Sequence, residues 1–151
     1  MSIEKITIHF VDHNTQRYNT VGDWYYDGTE NHVNGELVIM VSKSTNEVAG
    51  FMIAIHEMVE ALLCRQAGIT VEAVDNFDLH AANYSDNGEP GEIPSCPYYD
   101  QHQTAEIFER MLGQFMGLKW HDYENALDML YLDYKDELEV EDEDDDEFLE
   151  D

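Results

Sequence analysis

The chain has 151 residues, enough for one domain and short for two. A hydrophobic fraction of 43%, with two Trp, nine Tyr and six Phe, can build a core and excludes wholesale disorder. Seven Lys and Arg face 34 Asp and Glu, a formal net charge of −27, which excludes a simple binder of nucleic-acid phosphates and disfavours anionic membranes.

Residues 5–12 alternate, with Ile6, Ile8 and Phe10 on one face, and read as a strand. Residues 22–27, GDWYYD, read as a second strand, and 28–35, with Gly28, Asn31, Asn34 and Gly35, as a turn. Glu36–Ser42 is a third, nearly continuous apolar strand. Ser44 and Glu47 have capping-box spacing and predict a helix that runs to about Gln66, stopped by Gly68. A short helix is expected over 71–79. The stretch 81–99, rich in Asn, Gly and Pro, is the one long loop of the body. A third helix is expected from about 101 to 116, started by Asp100 with Gln103 and ended by Gly117, and a fourth from about 121 to 136. Strands followed by helices make the fold class α+β. The expected architecture is a small N-terminal antiparallel sheet built from hairpins, then a helical part, in one domain over 1–135. Twelve of the 16 residues from Asp136 to Asp151 are acidic, which predicts a disordered tail.

Cys64 and Cys96 are 32 residues apart without CxxC spacing, which fits a reducing compartment such as the cytoplasm. The N-terminal residues lack the pattern of a signal peptide. The longest apolar stretch, 48–64, is broken by His56, Glu57 and Glu60, so no membrane span is expected.

Those three residues carry the chemistry. In FMIAIHEMVEALLC (51–64), 11 of 14 residues are apolar, so a helix here is buried on most sides. A histidine and two carboxylates buried there are costly unless paired or bound to a cation. His56 and Glu60 stand at i and i+4, share one face, and offer a nitrogen and an oxygen to the same point. Glu57 is turned about 100° away, toward a water on the metal rather than the metal itself. A third ligand must come from downstream: His102 near the start of the third helix, beside Glu106 and Glu109, or Asp78 at the end of the short helix. Asp75 and the loop-borne His80 are weaker options.

His56-Glu57-x-x-Glu60 resembles the active helix of zincin metallopeptidases, whose pattern is HExxH, and departs from it with Glu60 in place of the second His. IHEMVEALL, followed by GITVEAVDNFD, GEPG, PYYDQH and AEIFER, resembles small zincin-like proteins of phages and prophages, over about residues 36–123. The resemblance implies a metal-binding, peptidase-like fold, with Glu57 as general base and no stated substrate. A phage protein of this kind would work in the host bacterial cytoplasm.

Two functional expectations follow. One is a zinc-dependent hydrolase acting on a peptide or protein, with His56, Glu60 and His102 or Asp78 holding the metal and the 81–99 loop bordering the cleft. A carboxylate ligand at 60 adds negative charge and weakens the metal as a Lewis acid. The other is a non-catalytic acidic protein that binds and inhibits a host protein, with mimicry of nucleic acid as one mode. Tail apart, 22 acids still face seven bases.

Overall fold

The computed structural model describes residues 2–29, 32–80 and 89–145, the side chains of 28–34 and 135–145 excepted. The class is α+β: three strands, β1 (Lys5–Val11), β2 (Gly22–Thr29) and β3 (His32–Ser42), precede four helices, α1 (Glu47–Gln66), α2 (Val71–Asp78), α3 (Tyr99–Met116) and α4 (Trp120–Asp145).

The sheet order is β1-β3-β2, with β3 central. β2 and β3 form the expected antiparallel pair, but β1 runs parallel to β3, from Lys5 opposite Glu36 to Val11 opposite Ser42. The sheet is therefore mixed. The 12–21 segment crosses the end of β3, from Val11 opposite Ser42 on one edge to Gly22 opposite Val41 on the other. It is anchored by His13, whose ring nitrogens bond Ser42 Oγ at 2.8 Å and Asn19 Oδ1 at 2.9 Å. The β2–β3 ladder also continues into the expected turn, to Thr29 opposite His32, across a register shift after Asp27. Gly35, with φ 72°, supplies the left-handed backbone at that irregularity.

α1 is capped two residues past the expected position. Asn46, not Ser44, caps it: its Oδ1 accepts from Val48 N at 2.9 Å and Ala49 N at 3.3 Å, while Ser44 Oγ accepts from Asn46 N. The helix ends at Gln66, and Gly68 takes φ 72°, as its position predicts. α1 lies between the sheet and α3. Leu37, Ile39 and Val41 of β3 alternate into the core and join Ala49, Met52, Ile53, Ala61 and Cys64 of α1 there. On the other side Gly113 lets α3 close on α1: a Cβ there would lie 2.5 Å from Met52 Cε. Cys64 and Cys96 are buried and unpaired.

α3 begins at Tyr99, without a side-chain cap, so the expected Asp100 cap is not used; Gly117, φ 79°, ends it. α4 carries helical backbone to Asp145, past the expected end near 136, since Glu and Leu both propagate helix well. Residues 81–88 of the long loop and 146–151 of the acidic run lie outside the described residues. No helix among the described residues is long and apolar enough to cross a membrane.

Among the described side chains, the contacts of α4 with the body come from Trp120, Tyr123, Leu127, Leu130, Tyr131 and Tyr134. Truncation after Lys135 keeps all of them, and the residues removed carry only Leu138, Val140, Phe148 and Leu149 as apolar groups. The shortened chain is expected to unfold cooperatively, with a melting temperature within a few degrees of the full chain, since charged residues of this kind bury too little to offset their ordering. A broad or strongly lowered transition in differential scanning calorimetry would show the run to be structural.

Candidate metal centre

α1 presents His56 and Glu60 on the face that α3 covers, and α3 presents His102 and Glu109, seven residues apart, on the face that meets them. All four are buried. His56 Nε2, Glu60 Oε2 and His102 Nδ1 converge: the nitrogens are 3.1 Å apart, and Oε2 is 3.2 Å from the first and 2.8 Å from the second. Among the described residues this is the one group of three that can hold a metal ion. A tetrahedral site with bonds of about 2.0–2.2 Å has ligand separations of roughly 3.3–3.6 Å, so the triangle opens by only a few tenths of an ångström to take one.

The atoms that do not face the centre are also engaged. His56 Nδ1–H donates to Glu109 Oε2 at 2.6 Å, which leaves the Nε2 lone pair for a cation. Trp24 Nε1–H donates to Glu60 Oε1 at 3.0 Å and leaves Oε2 free to ligate. Trp24, on the strand expected over 22–27, packs against Tyr26, and its indole N–H also orients the Glu60 carboxylate. Glu106 faces away and pairs with Arg110 at 2.7 Å.

Without a cation, protons hold the cluster together. Burial favours the neutral imidazole of His56, but its bonds to Glu109 and Glu60 outweigh this and raise it well above the ordinary histidine value. His102 is raised for the same reason, through Glu60. Burial alone would raise the Glu60 carboxyl; its bonds to His102 and His56 hold it down, at about 2. Both rings are thus pushed toward their protonated forms by the buried carboxylates of Glu60 and Glu109, and a divalent cation at the centre would compete with protons.

Glu57 lies on the sheet side, over Gly22: a Cβ there would fall 2.3 Å from Glu57 Oε1. Among the described residues no hydrogen bond reaches its carboxylate. Burial first, and then the charge of Glu60, raise it well above the usual carboxylate range.

Asp78 is buried but does not join the three ligand atoms. It accepts hydrogen bonds from the hydroxyls of Tyr98 and Tyr18, the latter at 3.1 Å, and burial lifts it to about 7. Of the two downstream candidates, geometry brings His102 to His56 and Glu60 and leaves Asp78 among tyrosines. Asp75 pairs with Arg17 at 3.0 Å, and His80 bonds the carbonyl of Asn76 on the exposed side of α2.

Gly91, in the 3-10 turn Pro90–Glu92, has no room for a side chain, because a Cβ there would lie 2.3 Å from His102 Nδ1. Gly91→Ala is expected to push the ring off the centre, costing about 1–3 kcal/mol of stability and weakening metal binding together. Calorimetry with and without zinc checks both. A variant as stable as the parent, with an undiminished zinc effect, would show that the turn yields freely.

No protein-family model matches this chain, and neither a curated protein nor a solved structure is significantly similar to it.

Proposed function

We propose that the protein is a zinc-dependent hydrolase of the zincin type, acting on a peptide or protein, with His56, Glu60 and His102 as ligands and Glu57 as general base. The observation that carries this reading is the convergence of one carboxylate oxygen and two imidazole nitrogens within 3.2 Å, each on a separately oriented side chain. Two histidines and one glutamate make up the ligand set of several catalytic zinc sites. With a neutral His102 as the third ligand, Glu60 is the one charged ligand, and the set carries the same charge as HExxH with a downstream Glu.

Zinc bound there supplies a Lewis acid that polarises a carbonyl and acidifies water. The chain's own residues supply the rest. Glu109 holds His56 in the tautomer that ligates, and Trp24 fixes the rotation of the Glu60 carboxylate. Glu57, one residue from His56 and free of hydrogen bonds to the described residues, takes a proton from the attacking water and returns it to the leaving amine.

The test is elemental analysis of untagged protein, wild type and His56→Ala, beside cleavage of a peptide library by both. The expected result is one zinc per wild-type chain, none in the variant, and cleavage by wild type alone. Metal without cleavage would favour the second reading, a metal-stabilised acidic protein that binds a host protein. That reading is supported by the −27 net charge.

A further inference from the structure

α4 supplies no ligand, yet it reaches both histidines. Tyr123 and Tyr131 are eight residues apart and so share one face of that helix. The Tyr123 hydroxyl donates to Glu109 Oε1, and the other oxygen of Glu109 accepts from His56 Nδ1–H at 2.6 Å. The Tyr131 hydroxyl donates to Glu89 Oε1 at 2.7 Å, and the other oxygen of Glu89 lies 3.7 Å from His102 Nε2. Each histidine thus turns its non-ligating nitrogen toward a carboxylate, and each carboxylate has its second oxygen held by a tyrosine of the same helix.

We propose that α4 is the positioning element of the metal centre, its two tyrosines acting through Glu109 and Glu89 to fix the rings of His56 and His102. The proposal rests on the metal reading above. A tyrosine hydroxyl pins the carboxylate, the carboxylate pins the ring, and the ring aims the lone pair. Partners bonded directly to a ligating histidine set metal affinity by about 10–100-fold in zinc sites generally, and a tyrosine one step further out acts through them. The coupling is reciprocal: whatever affinity the docked helix adds to the metal, the metal adds to the docking of the helix. The first relay is the stronger, because Glu109 makes a short hydrogen bond to His56 while Glu89 stands in ion-pair range of His102.

The test compares wild type, Tyr123→Phe, Tyr131→Phe, the double variant and Tyr18→Phe. Tyr18 is the control, since its hydroxyl also serves a buried carboxylate, that of Asp78, which is not among the three ligand atoms. Zinc affinity is measured by competition with a chromophoric chelator, and the ligand field by the visible spectrum of the cobalt-substituted protein. Tyr123→Phe is expected to weaken zinc about tenfold and Tyr131→Phe about threefold, with altered cobalt bands in the double variant. Tyr18→Phe should leave affinity and bands as they are. In wild type, zinc should slow hydrogen exchange of the α4 amides up to residue 134. An unchanged affinity and cobalt spectrum in the double variant, while wild type binds zinc, would overturn the role of α4 alone. So would an equal loss in Tyr18→Phe, which would mark a general loosening. Absence of zinc binding by wild type would overturn the metal reading, and this inference with it.

Discussion

Zinc is expected to raise the melting temperature by an amount that grows as pH rises above about 6.5, the ordinary histidine value, while the metal-free protein grows less stable over the same range. The sign comes from His56 and His102, both raised above their ordinary values in the metal-free cluster. A histidine raised on folding adds stability that is fully present below its unfolded value, near 6.5, and is lost as pH rises through its folded value. Glu57, raised by burial, acts in the same direction, since its folded form resists the ionisation that the unfolded chain undergoes. Glu60 is lowered to about 2, so its contribution is lost only as pH falls toward that value, outside this window. Zinc needs both imidazoles neutral, so protons compete with it and its affinity climbs as they leave.

At free zinc about 1,000-fold above the dissociation constant, the gain is ~4 kcal/mol, on the order of 10 °C for a chain of this size. His102→Ala should abolish the gain and Asp78→Asn should keep it, because Asp78 is held by Tyr18 and Tyr98 rather than at the centre. His56→Ala should also lose it, with a larger cost to the metal-free protein, about 3–5 kcal/mol, because Glu109 and Glu60 lose a shared partner. Scanning calorimetry across the pH range, with zinc and with chelator, measures all of these. A zinc effect independent of pH, or one that survives His102→Ala, would place the metal elsewhere.

The half of the site that lies on one helix was legible because helix geometry is local. His56 and Glu60 at i and i+4 in an apolar stretch can only share a face. Glu109 was legible in principle, seven residues after His102 and so on the same side of α3, but only once His102 was known to point inward. Trp24, Tyr123 and Glu89 were not, because their roles depend on which side chains meet across elements far apart in sequence. Asp78 shows the same limit from the other side. Its spacing from His56 suits a ligand, and the competing partners, Tyr18 and Tyr98, lie 60 and 20 residues from it. In the sheet, alternation marked each strand, but a strand's pattern does not say which edge it joins or in which direction. The parallel placement of β1 is a property of the 12–21 segment and its His13–Ser42 anchor. At the start of α1 two cap residues competed, and Asn46 prevailed because its Oδ1 reaches two orphan amides.

Replacing Glu57 by Gln is expected to keep the fold and the metal while lowering peptide hydrolysis by about 10²-fold or more. Gln preserves size and removes the base. In the metal-free protein the Glu57 carboxyl is held toward its neutral form by burial and by Glu60. A cation at His56, Glu60 and His102 reverses that, because a nearby positive charge favours the ionised form, and a general base must be ionised to act. Metal binding and the readiness of the base are therefore linked, and the pH profile of hydrolysis should lose its acidic limb in Glu57→Gln. If the protein is a scaffold, the consequence of the same change is different. A buried carboxyl beside Glu60 costs free energy, so the amide should leave stability unchanged or raise it, and partner binding should not depend on it. Gly22 sharpens the distinction. Gly22→Ala would place a Cβ 2.3 Å from Glu57 Oε1 and displace the base without changing its chemistry. Hydrolysis should fall in that variant as well, with zinc content intact. Wild-type protein that cleaves no member of a peptide library, together with a Glu57→Gln variant that melts higher, would remove the enzyme reading and leave the metal centre as a support for the acidic surface.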